Sequence, residues 1–226
     1  MFPLKDSIRS STFPYVNSLI IISNILLFTY QLSLGPKLGY FYVEHGLVPV
    51  KLFLPFEVVS LWEKITPFFS SMFLHGSFMH LLGNMYFLYI FGDNVEDVMG
   101  HIRYLFVYII FGICSAIVQV VLYPDSNIPT IGASGAVSGV MGYYFLKFPY
   151  AKIKTLVFII IFFTIVDLPA VIFLGLWFFI QFLSGSAELT YTNAAGGIAW
   201  WAHVGGFVAG VFYAVLDGKS KSRYRA

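Results

Sequence analysis

Ser134 stands between glycines in Gly132-Ala133-Ser134-Gly135, and His203 stands in Trp200-Trp201-Ala202-His203-Val204-Gly205-Gly206. A serine hydroxyl is a weak nucleophile until an adjacent base takes its proton, and histidine is the usual base. The pair reads as nucleophile and general base for attack on a carbonyl. Such an attack creates an oxyanion that needs preorganised donors. His80 and Asn84 are four apart and project from one face of a helix. The Ser134 backbone N–H, at a helix start, points into the same space with the positive end of the helix dipole. All these groups lie in apolar segments, where a polar side chain marks a functional site by default. No acidic residue is placed to orient His203. Asp93, Asp97 and Asp167 belong near the opposite membrane face, and Asp125 is distant. The expected chemistry is a Ser–His dyad without an acid.

The elements that must position these residues are membrane helices. The chain has 226 residues, 58% hydrophobic and 11% charged, with a mean hydropathy of +0.81. Soluble domains carry roughly 25% charged residues. Six windows of at least 20 residues hold no Asp, Glu, Lys or Arg: 10–36, 65–92, 104–124, 126–146, 168–187 and 189–216. A spanning helix needs about 20 apolar residues, whereas a barrel strand needs about ten with alternation. The expectation is an all-α polytopic membrane protein with six spans. A net charge of +2 gives no footing for nucleic acid, and Cys114, the only cysteine, has no partner for a disulfide.

In chain order, residues 1–14 form a short cytoplasmic N-terminus, 15–217 the six-helix membrane domain and 218–226 a basic cytoplasmic tail. Helix 1 is expected over Tyr15–Leu34, retained as an anchor because it exceeds a signal-peptide core. Residues 35–66 make a long first loop, rich in bulky apolar groups and expected in the membrane interface. Helix 2 covers Ser77–Phe91, helix 3 Tyr104–Leu122, helix 4 Ser134–Phe148, helix 5 Pro169–Leu183 and helix 6 Ile198–Leu216. Residues 155–168 are apolar but short, and are expected as an interfacial or partly inserted connector. Lys5 and Arg9, then Lys147, Lys152 and Lys154, then Lys219, Lys221, Arg223 and Arg225 mark cytoplasmic segments by the positive-inside rule. A bacterial inner membrane with both termini cytoplasmic fits that pattern.

With the N-terminus inside, helices 2, 4 and 6 all run from outside to inside. His80, Asn84, Ser134 and His203 lie in the early turns of those three helices and so share one level. Helix 4, at about 1.5 Å per residue, is about 22 Å long, shorter than a hydrocarbon core of about 30 Å. Its N-terminus therefore sits below the outer boundary, where irregular backbone persists only if buried in protein or lining a wet cavity. Gly135 and Gly139 on helix 4, with Ala202, Gly206 and Gly210 on helix 6, form small-residue stripes that let helices approach closely.

These motifs resemble the rhomboid family of intramembrane serine proteases. The family's Gly-x-Ser-Gly matches Gly132 to Gly135, its His-x4-His-x3-Asn matches His75, His80 and Asn84, and its Ala-His matches Ala202-His203. The resemblance covers about residues 15–217 and implies a six-helix rhomboid-like bundle. It implies hydrolysis of a peptide bond in or near a substrate's transmembrane helix, with the lipid bilayer and transmembrane proteins as partners. Ser134 and His203 would be catalytic, and His80, Asn84 and the Ser134 N–H would hold the oxyanion. His75, Gly132, Gly135 and Gly206 would support the site, His75 by bracing the first loop. Two positions depart from the pattern. Where many members carry Trp-Arg, nine residues before the first histidine, this chain reads Thr66-Pro67, with Trp62-Glu63 further back; Ser138 stands where some members place a tyrosine that stacks on the catalytic histidine. These departures bear on how the first loop is braced and how His203 is held.

Three rivals remain. A zinc protease would carry His-Glu-x-x-His, which is absent, and His75 and His80 are five apart, a poor fit to one helical face. No metal or cofactor is expected. A transporter would favour charged or broken helices in two corresponding halves, and only Asp167 hints at that. A catalytically inactive binder of membrane clients would not need Ser134 with His203. His45, His101, Trp200 and Trp201 are expected as interface residues, and Gln119 and Gln181 as interhelical hydrogen-bond donors.

Overall fold

Five helices carry the site: α5 (Phe78–Met99), α6 (His101–Leu122), α7 (Ser134–Lys147), α8 (Ala170–Thr190) and α9 (Trp200–Leu216), seen in a computed structural model that describes residues 1–159, 162–190 and 198–218. Before them come β1 (Phe2–Asp6), α1 (Tyr15–Ser33), α2 (Leu38–His45), α3 (Leu61–Ile65) and α4 (Pro67–Ser70); β2 (Lys152–Ile159) and β3 (Phe162–Pro169) separate α7 from α8. Helices predominate, as expected of an apolar helical membrane protein. By length and composition, Tyr15–Ser33, His101–Leu122 and Ala170–Leu189 are long and apolar enough to cross a membrane. Helix α7 has 14 residues and α9 has 17, while α5 is long but carries Asp93, Glu96 and Asp97 in its last turns.

The all-α expectation is corrected at residues 155–168. They belong to a three-stranded antiparallel sheet in the order β1-β2-β3, with Lys152 opposite Pro169 and Ile159 opposite Phe162. Thr155, Val157, Ile165 and Val166 are β-branched and favour a pleated strand over a short helix. The first strand joins it by pairing Phe2 with Leu156 and Asp6 with Ile153. The basic tail beyond 218, most of the loop before α9 (191–197) and residues 160–161 lie outside the described residues.

Helix 2 was expected to stop at Phe91, but α5 continues to Met99. The acidic run that marks an end in sequence is instead hydrogen-bonded by the N-terminal segment and, at Glu96, by the His101 ring. The Glu96 carboxylate accepts from the backbone N–H groups of Val16 (3.0 Å) and Asn17 (2.7 Å), and Asp97 accepts from Ser11 and Thr12. Helix α8 likewise runs past Leu183 to Thr190 and through Gly185, which packs closely on the Trp201 indole; a Cβ there would come within 2.9 Å of Nε1.

Helix α7 is sunk in the bundle, buried from Gly135 through Tyr144. Its approach to α9 depends on glycine. A Cβ at Gly206 would strike the carbonyl of Gly135, one at Gly210 the carbonyl of Gly139, and one at Gly142 the carbonyl of Phe207. The small-residue stripes therefore pack backbone against backbone, as their spacing predicts. Val140, Tyr143 and Tyr144 of α7 fill the core together with Leu88 and Phe91 of α5 and Phe111 of α6.

Candidate active site

The first turn of α7 forms directly after Gly132, whose φ of +127° is a region that side chains rarely adopt. A Cβ there would also come within 2.6 Å of the His80 ring, so glycine serves both the turn and the close approach. The preceding loop is stapled to the first loop and to the segment before α5. Gly132 N–H donates to the Ser71 carbonyl (2.9 Å), and Leu47 and Thr130 exchange backbone hydrogen bonds of 3.0 and 2.8 Å. The first loop is thus braced by backbone pairing, with Thr66-Pro67 at the start of α4 and the Ser70 hydroxyl bonding the His45 carbonyl at 2.6 Å.

Ser134, His203, His80 and Asn84 line one cavity of about 1140 Å³, together with Trp177 and Gln181 of α8. The described residues hold no hydrogen bond from Ser134 to His203. The serine's carbonyl instead accepts from the Ser138 hydroxyl at 2.6 Å. Ser138 therefore turns back on its own helix and does not support the histidine.

Helix α8 supplies the contacts at His203. Its Gln181 Oε1 lies 2.8 Å from His203 Nδ1. Trp177, one turn earlier, sets its ring 6.1 Å from the imidazole at an interplanar angle of 32°, and Trp200 meets it edge-on at 6.3 Å. Gln181 was expected as a donor between helices; its acceptor oxygen is what faces the histidine. The signal was available, since a glutamine in an apolar helix needs a partner. Its identity was not, because nothing local to residue 181 or 203 states how α8 packs on α9. Trp200 stands beside the histidine as well as near the helix end.

His75 is fully buried and sits under the pocket as a junction. Its backbone carbonyl accepts from Gln31 Nε2 (3.0 Å) and Tyr42 Oη (2.9 Å), and its backbone N–H donates to Gln31 Oε1 (3.2 Å). Its ring Nε2 lies 3.0 Å from Asn84 Nδ2, and the ring stacks edge-on against His80 at 5.0 Å. One histidine therefore ties helix α1 and the first loop to both oxyanion candidates. Gln31 and Tyr42 are the partners that the sequence did not disclose. Among the described residues no cluster of His, Cys, Asp or Glu has the makings of a metal site.

Residues 60–220 match the family model described as the rhomboid domain. A protein of Saccharomyces cerevisiae named "Rhomboid protein 1, mitochondrial" is 31% identical over 167 residues, covering 69% of this chain and 43% of its own. "Presenilin-associated rhomboid-like protein A, mitochondrial" of Danio rerio is 30% identical over 160 residues, and its Bos taurus counterpart 28% over 158. Each of those two alignments covers 66% of this chain and 37% of the relative. The chain thus spans less than half the length of the relatives it matches. Their names place those proteins in mitochondria, which gives the bacterial-membrane expectation no support.

Proposed function

This chain belongs to the rhomboid family, and from that premise we propose that it is an intramembrane serine endopeptidase acting on transmembrane protein substrates. The observation that carries the reading is the convergence of Ser134, His203, His80 and Asn84 on one cavity from three helices far apart in sequence. Ser134 Oγ attacks the scissile carbonyl while His203 takes its proton. The tetrahedral oxyanion is held by His80, the free N–H of Asn84 Nδ2 and the Ser134 backbone N–H. His203 then returns the proton to the leaving amine, and water hydrolyses the acyl-enzyme by the same route. In apo enzymes such contacts are often long and tighten only with substrate, so a Ser134 hydroxyl without a bond to His203 is compatible with this cycle. Six spans, with the more polar α5 and the shorter α7 and α9 crossing beside α1, α6 and α8, and both termini on one side, complete the proposal. Residues 15–217 are its catalytic domain.

The test is cleavage of a tagged single-span substrate in liposomes. Wild type is expected to cleave, Ser134→Ala and His203→Ala to lose at least about 1000-fold, and chelator to change nothing. Cleavage at the wild-type rate in either variant sinks the dyad. A folded wild type that cleaves none of several substrates, and escapes a serine-reactive fluorophosphonate, establishes instead a client-binding member without catalysis.

A further inference from the structure

The Gln181 side chain is buried, reaches the base from a helix that carries no other proposed catalytic group, and meets it at Nδ1. A neutral imidazole has one N–H and one lone pair, and which nitrogen carries the proton is set by the partner of the other. An amide oxygen only accepts. Opposite it, Nδ1 must be the donor, which leaves Nε2 with its lone pair. That tautomer is the one able to take a proton from a serine. Trp177 lies four residues before Gln181 on the same face of α8 and limits ring rotation from the side.

We propose that Gln181 is a positioning residue for His203, accepting the Nδ1–H and thereby fixing the base in the tautomer whose Nε2 receives the Ser134 proton. It occupies the role that an acid fills in a Ser-His-Asp triad, without a charge inside the membrane. No bond to substrate forms at Gln181, and the proton on Nδ1 stays there through the cycle. The absence of an acid beside His203 and the serine at position 138 then have one physical answer: an amide from α8 and an indole from α8 orient the ring. This assignment rests on the protease reading for its consequence but not for its geometry.

Two measurements test it. The first is independent of catalysis: nitrogen NMR of ¹⁵N-histidine-labelled protein in micelles, with the His203 signals identified by their loss in His203→Ala. Wild type is expected to show the Nδ1–H tautomer, and Gln181→Met, which keeps length but removes the acceptor, a shift toward Nε2–H. A wild-type His203 in the Nε2–H form, or a tautomer unchanged in Gln181→Met, overturns the proposal whatever the enzyme does. The second is kinetic. Because a general base contributes about 10²–10⁴-fold, its misorientation in Gln181→Met is expected to lower kcat by about 10- to 100-fold with KM nearly constant. Gln181→Glu retains an acceptor and is expected to recover most of that rate. Equal losses in the Met and Glu variants, with thermal melts unchanged, assign Gln181 to packing alone. A wild type that cleaves nothing fails the protease reading while the NMR result still decides the hydrogen bond.

Discussion

Asp6 shows how far a single side chain depends on its surroundings. It belongs to β1, outside the spanning helices, and its Oδ2 accepts from Tyr144 Oη (2.6 Å) and Asn94 Nδ2 (2.8 Å). Burial pushes its carboxyl from the ordinary 3.8 up to about 7, against the lowering pull of the Tyr144 hydroxyl, and the Asp93 charge adds to the rise. The native state therefore holds a proton that the unfolded state releases between those pH values. The associated stability is complete below about pH 4 and is lost as pH rises toward 7. At about 1.4 kcal/mol per tenfold, the loss is on the order of 4 kcal/mol. Thermal unfolding in micelles is expected to show a melting temperature that falls from pH 5 to pH 8, and a flatter dependence in Asp6→Asn. Parallel pH profiles for the two proteins would remove Asp6 as the cause. At the same scale, Ser138 and Gln181 exchange the roles their positions suggest. The residue one turn after the nucleophile bonds its own helix, and a glutamine of α8 meets the base.

The elements are held by contacts that no helix makes for itself. Helix α1 begins after Pro14 with no side-chain cap of its own, and its first turn holds no acid. Glu96, buried near the end of α5, supplies both, accepting from Val16 and Asn17 where the helix dipole is positive. Removing that carboxylate leaves the buried Asn17 N–H and the half-buried Val16 N–H unpaired, and takes a partner from the His101 ring as well. Glu96→Ala is expected to lower unfolding stability by on the order of 3 kcal/mol and to speed hydrogen exchange at Val16 and Asn17. Unaltered exchange at those amides would show that the cap is dispensable. The sheet follows the same logic, since β1 and the β2–β3 pair are each marginal alone. Together they tie the N-terminal segment to the connector between α7 and α8, and the Ala170 N–H continues the link by donating to the Ala151 carbonyl at 2.7 Å.

At the scale of the molecule, the proposed six-span arrangement predicts which faces see solvent. In a Cys114→Ala background, cysteines at Ser7 and Ser220 are expected to react with an impermeant maleimide from one side of sealed vesicles, and one at Asn127 from the other. Labelling of Ser7 and Ser220 positions from opposite sides would refute an even number of spans. The sequence by itself determined the class of chain, because apolar runs bounded by charge can satisfy their backbones only as helices in lipid. It also singled out the residues proposed to do chemistry, since Ser134 of Gly132-Ala133-Ser134-Gly135, His80, Asn84 and His203 stand out as polar groups in apolar surroundings. The charge-free apolar runs carried the positions of α1, α6, α7 and α9 to within a few residues. What they could not carry was every feature that depends on a partner distant in sequence. The acidic run of α5 reads as a helix end until Val16 and Asn17 arrive to donate to Glu96, and residues 155–168 read as an interfacial or partly inserted connector until β1 completes a sheet. His203 looks unsupported until α8 sets Gln181 against it. An apolar run reports where a helix can form; only the tertiary structure brings 181 to 203, 16 to 96 and 2 to 156, because those pairings depend on how the helices pack and the strands pair.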